Sequence, residues 1–173
     1  MNIRSLISYA FLVLLLGLVQ IFFLKNLALF GLAFGFLYLL GILLLPTSIQ
    51  SFPLMLIAFF MGLAIDVFYE TIGMHAAAST LMAFLRPFWL KVTSPSGGYD
   101  EIEEPSLSEL GLGRFISYSF PLIFIFSVAF FIADQWGTGS FFGVINKSIL
   151  SSIFTTLLVI LVQLLFFKKK RGI

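Results

Sequence analysis

Residues 62–86 read GLAIDVFYETIGMHAAASTLMAFLR, and this stretch decides the fold class. Two apolar runs flank a short polar turn, the pattern of two helices joined as a hairpin. Asp66 lies inside the first run, about one turn from its end, and Gly73 is placed to act as a left-handed helix cap in the turn. With the apolar residues that continue each run, over 52–69 and 74–90, both are about long enough to cross a bilayer, so the stretch predicts a pair of short transmembrane helices.

The composition of the whole chain agrees with a bilayer environment. The 173 residues are 60% hydrophobic and 10% charged, and the mean hydropathy is +1.11. A soluble domain carries about 25% charged residues, so this chain has too little polar surface for a water-exposed globule. The absence of cysteine excludes disulfides, thiol catalysis and Cys-based metal sites. No basic patch with interleaved aromatics is present, so nucleic acid binding is not expected.

The hydropathy pattern predicts one integral membrane domain over 1–173, an all-α polytopic bundle of about six short transmembrane helices. The first apolar segment lacks a small-x-small cleavage site, and we expect it to be retained as a helix rather than removed as a signal peptide. The predicted spans are 6–24, 27–45, 52–69, 74–90, 115–133 and 148–167.

The distribution of basic residues predicts the orientation of these spans. Six spans place both termini on one side, which then carries eight basic residues: Arg4, Arg86, Lys91, Arg114, Lys168, Lys169, Lys170 and Arg171. The other side carries only Lys25 and Lys147. Basic residues are enriched on the cytoplasmic side of membrane proteins, so we expect an inner-membrane protein with cytoplasmic N and C termini.

The same orientation makes the polar loop over 93–113 cytoplasmic. It contains five of the eight acidic residues: Asp100, Glu101, Glu103, Glu104 and Glu109. Ser106 and Glu109 have the spacing of a capping box, which favours a short interfacial helix before the fifth span. The loop is either solvated surface or a cytoplasmic docking segment.

Asp66 is the most informative single residue, because a carboxylate is costly inside a span. Gly62, Asp66 and Glu70 lie at i, i+4 and i+8, which places them on one helical face with both carboxylates towards the outer surface. Gly62 permits close approach of a neighbouring helix. Asp66 either accepts a hydrogen bond from His75 or a backbone group and fixes helix packing, or forms a polar contact or ion site in the bundle interior.

The other polar residues do not assemble a recognisable catalytic or metal site. His75 is the only histidine, and it is expected to pair with Asp66 or Glu70 or to cap its helix rather than bind a metal. We expect no catalytic residues and no cofactor, so the chain is not expected to be an enzyme. Hydrogen bonding between helices is the expected role of a further set of polar residues, Gln20, Gln163, Ser151, Ser152, Thr155 and Thr156. The tail over 168–171 is expected to anchor the last span and to contact anionic membrane lipids.

The stretch from Gly62 to Arg86 resembles the rod shape-determining protein MreD family. That family shows Gly-Leu-x-x-Asp, matched here by Gly62 to Asp66, then a Gly and a small-residue helix ending in Leu and Arg, matched by Gly73 and by Ala76 to Arg86. The order of elements agrees along nearly the whole chain, including short helices, one cytoplasmic loop and a basic tail. The insert from Asp100 to Glu104 matches no motif of the family.

The resemblance implies a non-enzymatic subunit of the bacterial cell-elongation and peptidoglycan synthesis machinery. Its implied partner is MreC, and through MreC the actin-like MreB and RodA with its transpeptidase. It also implies a fold similar to the substrate-binding subunits of energy-coupling-factor vitamin transporters. The alternative is a transport subunit that binds a small molecule in a pocket near the outer face, lined by Asp66, Tyr69, Glu70 and His75.

Overall fold

The computed structural model describes residues 3–25, 27–29, 31–93, 104–136 and 139–166, without the side chains of 3–6. Its elements in chain order are α1 (Ile3–Val19), a π-helical turn (Gln20–Leu24), β1 (Ala28–Leu29), β2 (Ala33–Phe34), α2 (Leu39–Leu43), α3 (Ser51–Tyr69), α4 (Met74–Thr93), α5 (Leu107–Leu110), α6 (Leu112–Asp134) and α7 (Phe141–Phe166). The basic tail over 168–171 and the acidic residues 100–103 lie outside the described residues.

Four helical stretches within the described part of the chain are long and apolar enough to cross a membrane: Ile7–Leu24, Ser51–Tyr69, Leu112–Asp134 and Phe141–Phe166. This confirms the all-α fold class and a membrane protein; a count of six spans stays a prediction. Helix α4 has 20 residues, similar to the four, but it contains the polar residues His75, Ser79 and Arg86, all of them buried. It packs between α3 and α6, and α6 packs in turn between α4 and α7.

The segment over 27–45, predicted as the second transmembrane helix, has a different structure. Strands β1 and β2 pair antiparallel, with Ala28 opposite Phe34 and Leu29 opposite Ala33, and only Leu39–Leu43 is α-helical. Gly31 has a φ of +67°, which a continuous right-handed helix does not allow. A Cβ on Gly35 would lie 2.8 Å from Leu158 Cδ1, so the extended chain lies close against α7. Glycine is a weak helix former, and this segment contains three.

The segment from Phe36 to Leu45 forms the centre of the protein rather than a lipid-facing surface. Tyr38, Leu39, Leu40, Ile42 and Leu43 are completely buried, and they contribute to one continuous apolar core. Helix α1 is the opposite case, since only 17% of its membrane-length window is buried, compared with 50% for α6. Hydropathy is high both in α1 and in the segment from Phe36 to Leu45, but α1 faces outward, whereas the other segment faces protein.

Candidate functional site

Asp66 caps the start of the neighbouring helix α4. Helix α3 ends when Glu70 adopts the left-handed conformation (φ +58°), and Gly73 (φ +76°) leads the chain into α4. The Asp66 carboxylate, 4% exposed, then faces the first turn of α4. Its Oδ1 accepts from the His75 amide at 3.0 Å and its Oδ2 from the Ala76 amide at 2.9 Å. A helix start leaves such amides without partners and favours negative charge, so the carboxylate satisfies both requirements.

Two side chains complete the shell of Asp66. Thr71 Oγ1 donates to Asp66 Oδ1 at 2.6 Å, and His75 Nδ1 lies 3.1 Å from the same oxygen and 3.0 Å from Thr71 Oγ1. When His75 Nδ1 carries a proton, it therefore donates a hydrogen bond to Asp66 Oδ1 or Thr71 Oγ1. Of the two interpretations of Asp66, this geometry fits the one in which the carboxylate accepts from His75 or a backbone group and fixes helix packing, and both kinds of donor are present.

The far side of the His75 ring is enclosed by aromatic side chains. The centroid of Phe130 lies 4.5 Å from that of His75, the centroid of Tyr69 lies 5.2 Å away, and those of Phe36 and Tyr38 lie 6.0 Å away. Among the described residues, His75 Nε2 has no hydrogen-bond partner. No group of three or more His, Cys, Asp or Glu side chains within the described ranges is arranged to hold a metal ion. The environment of the imidazole is that of a packed core group.

Gly62 brings α3 and α4 into backbone contact one turn below this cap. A Cβ on Gly62 would lie 2.5 Å from Ser79 Oγ and 2.6 Å from Ala76 Cα, so no other residue fits without moving a helix. Ser79 Oγ donates across the contact to Ala58 O at 2.8 Å. Small residues that allow close approach, together with a hydroxyl bonding between helices, are the usual means of helix association in membranes. The predicted role of Gly62 agrees with this contact.

Arg86 lies in a second polar cluster, 11 residues further along α4, or about 16 Å at the helical rise of 1.5 Å per residue. It is 1% exposed. Its Nε donates to Tyr118 Oη at 2.7 Å, and its Nη2 donates to Leu43 O at 3.2 Å and also to Leu45 O. The Tyr118 hydroxyl itself donates to Leu43 O at 2.9 Å. The guanidinium thus binds the carbonyls at the end of α2 and ties them to α4 and α6.

A third set of polar side chains serves the extended backbone around β2. Ser151 Oγ accepts from the Phe34 amide at 3.0 Å, and Thr155 Oγ1 accepts from the Phe36 amide at 3.0 Å. From the other side, Gln20 Nε2 donates to Gly35 O at 2.8 Å and to Tyr69 Oη at 2.8 Å. Non-helical backbone at membrane depth requires such partners, because hydrocarbon offers none. These residues were expected to bond helix to helix; instead they bond largely to the extended segment.

The structure therefore separates the six candidate residues into groups. Gly62, Asp66, Gly73 and His75 lie together at the α3–α4 turn, whereas Arg86 belongs to the other cluster. Glu70 is not on the helical face with Asp66, because its left-handed backbone ends the helix and its side chain is exposed.

Sequence reasoning missed several members of both clusters. Thr71 and Tyr118 were not singled out, although a hydroxyl five residues after an intramembrane carboxylate, as Thr71 is, could have signalled a partner. The predicted capping box is also not formed: the Ser106 side chain makes no cap bond, and Gln163 Oε1 of α7 accepts from the Leu107 amide at 2.8 Å. The predicted short helix itself is present as α5.

The chain was compared with protein-family models, curated proteins and solved structures. No protein-family model, curated protein or solved structure matches it.

Proposed function

We propose that this chain is a non-enzymatic membrane subunit of the bacterial cell-elongation machinery, which scaffolds an MreC-like partner and, through it, the peptidoglycan synthases. The proposal rests on the resemblance of residues 62–86 to the MreD family. The observation that carries it is the structural role of those residues in joining α3 to α4. Gly62, Asp66 and His75 hold two helices together through a backbone contact and an interhelical cap, which suits a scaffold built on a rigid surface.

The proposed location is the bacterial inner membrane, with both chain termini in the cytoplasm. Support for the orientation is the distribution of ten basic residues, eight of them on the side of the termini. Proposed indirect partners are MreB and RodA with its transpeptidase, reached through the MreC-like protein. Membrane lipids surround the bundle, and no cofactor is assigned.

The alternative transport function has less support from the geometry. Its pocket would need Asp66, Tyr69, Glu70 and His75 to share an accessible cavity. Asp66 and His75 are buried with their first-turn contacts made, Tyr69 Oη bonds to Gln20, and Glu70 is exposed beyond the end of α3. A ligand at this position would have to displace Phe130 from the His75 ring. We therefore keep scaffolding as the proposed function.

Depletion of the protein in the rod-shaped bacterium that encodes it tests the proposal directly. We expect cells to become round or swollen, because the elongation machinery would lose a membrane subunit. We also expect the MreC-like protein to co-purify with a tagged copy of this chain, and a multi-pass inner-membrane protein of unrelated function to be absent from the eluate. Normal rod shape after complete depletion, with no MreC-like protein in the eluate, would contradict the proposal.

A further inference from the structure

Helices α1 and α3 diverge and leave a groove of about 780 Å³ between them. Residues such as Val13 and Gly17 of α1 and Phe60 and Ala64 of α3 form its walls, and none of the described residues that line it is charged. From Tyr9 to Ile21 the α1 wall extends about 18 Å at 1.5 Å per residue. That is more than half the thickness of the hydrocarbon core of a bilayer, about 30 Å. We call this feature the α1–α3 groove.

The glycine in the α1 wall distinguishes this groove from an ordinary lipid-facing surface. Among the described residues, a Cβ on Gly17 would meet nothing within 4 Å, whereas one on Gly62 or Gly35 would collide with neighbouring atoms of the chain. Glycine weakens a helix interior, and no contact with the part of the chain that the structure describes requires it here. Together with Ala64 on the opposite wall, Gly17 leaves room for the backbone of another helix to approach closely. Flexible acyl chains have no such requirement.

The two ends of the groove carry opposite charges. At one end Tyr9 Oη donates to Glu104 Oε1 at 2.5 Å, and at the other Lys25 Nζ donates to Phe68 O at 2.5 Å. In the proposed orientation Glu104 lies on the cytoplasmic side. A single-pass membrane protein typically carries Lys or Arg beside the cytoplasmic end of its helix, and this flank would face Glu104. An anionic lipid headgroup at the same place would be repelled.

We propose that the α1–α3 groove receives the single transmembrane helix of a bitopic partner whose cytoplasmic flank is basic. This deepens the proposed function, on which it rests, because it assigns the surface that binds the MreC-like protein. It also gives a role to Glu104, the described member of the acidic insert that the family resemblance left unexplained.

Cysteine cross-linking in membranes tests the contact, since the chain contains no cysteine of its own. Gly17→Cys and Ala64→Cys would each be co-expressed with the MreC-like protein carrying single cysteines along its transmembrane helix. The matched control is Leu161→Cys, on the outward surface of α7 and 52% exposed. We expect disulfides from both groove positions, recurring every three or four residues along the partner helix, and none from the control.

The possible failures of this experiment are distinguishable. If the partner co-purifies but links only to Leu161→Cys, or if the groove cysteines link only to a second copy of this chain, the groove assignment is overturned while the proposed function stands. If only lipid occupies the groove, the partner co-purifies without any link to it, and the assignment is again overturned. Loss of all association with the MreC-like protein would overturn both proposals.

Two further variants test the shape and the charge of the groove. Ala64→Phe fills the groove and is expected to lower the amount of co-purified partner at least tenfold. The control is Ala77→Phe, on the exposed side of α4, which is expected to leave that amount unchanged when both variants are present at equal levels in the membrane. Glu104→Lys is expected to lower association, and exchanging the partner's basic flank for acidic residues restores it. Wild-type association in Ala64→Phe, or no rescue of Glu104→Lys, contradicts the assignment.

Discussion

Asp66 of α3 and Arg86 of α4 are both buried charged residues, and each is stabilised by a helix terminus. The carboxylate uses the start of a helix and the guanidinium uses the end of one. Asp66 accepts from amides at the start of α4, and Arg86 donates to carbonyls at the end of α2. Among the described residues neither is paired with a side chain of permanent opposite charge, since the ion pair present joins Asp66 to His75. Backbone groups that a helix end leaves free therefore stabilise both charges.

The two charges differ in the distance over which they act. Asp66 joins residues 5 to 10 positions away and closes one local turn. Arg86 joins carbonyls 41 and 43 positions earlier to a hydroxyl 32 positions later. Arg86 therefore holds three separate segments of the chain in place, and we expect its loss to be the more damaging.

Replacing Arg86 by methionine is the largest expected effect. The variant removes the guanidinium bonds to Tyr118 Oη, Leu43 O and Leu45 O inside an apolar core, and Leu43 O then keeps the Tyr118 hydroxyl as its donor. Each hydrogen bond to a charged group is worth about 1.5–3 kcal/mol, so we expect the loss of three to exceed about 3 kcal/mol. The free energy of unfolding, measured by SDS titration in mixed micelles, reports the loss. Lys91→Met is the control, because Lys91 lies on the same helix but is exposed. Equal free energies of unfolding for the two variants would contradict a stabilising role for the buried Arg86.

Asp66→Asn should lower the free energy of unfolding by about 1.5–3 kcal/mol, the worth of hydrogen bonds to a charged group. The amide retains one acceptor oxygen, so one of the His75 and Ala76 amides loses its partner. Glu70→Gln changes the exposed carboxylate of the same hairpin and is expected to have no measurable effect. The same titration measures both. A larger loss in Asp66→Asn than in Arg86→Met would show that the local cap stabilises the protein more than the long-range contacts of Arg86.

Thr155→Val is the smallest expected effect, about 1–2 kcal/mol, because it removes the acceptor of one neutral amide, that of Phe36, and a longer donation to Phe34 O at 3.3 Å. Thr156→Val is a close control at the next position of α7. Thr156 Oγ1 is buried and has no hydrogen-bond partner among the described residues, so its removal is expected to cost nothing. Equal destabilisation by the two variants would show that backbone partners matter less here than the buried charges suggest.

The α3–α4 hairpin could be read from the sequence because its signals are local. The cap residue Asp66, the turn and Gly73 lie within a few positions of one another, and α3 and α4 occupy the predicted 52–69 and 74–90 within a few residues. Only Glu70 was misplaced, because an i+8 spacing assumes that the helix continues. The helix ends at Tyr69, where the predicted span also ends, and the left-handed backbone of Glu70 takes that residue off the helical face.

The segment over 27–45 could not be read in the same way. Hydropathy measures how apolar a segment is, and it does not distinguish a helix facing lipid from a chain buried in protein. The partners that allow an extended backbone here, Ser151 and Thr155, lie 117 and 119 residues away from the amides they serve. The capping residue of α5 was missed for a related reason, because Gln163 comes 56 residues after Leu107.

The contact between the Phe36 amide and Thr155 has a consequence for biogenesis. A ribosome adds roughly 5–20 residues per second, so the acceptor for that amide is made roughly 6–24 s after the amide itself, 119 residues later. During this interval hydrocarbon provides no replacement. The nascent segment must therefore keep another conformation, or stay beside the insertion machinery, until α7 has been made. The centre of the finished protein is then among the last parts to reach its final form.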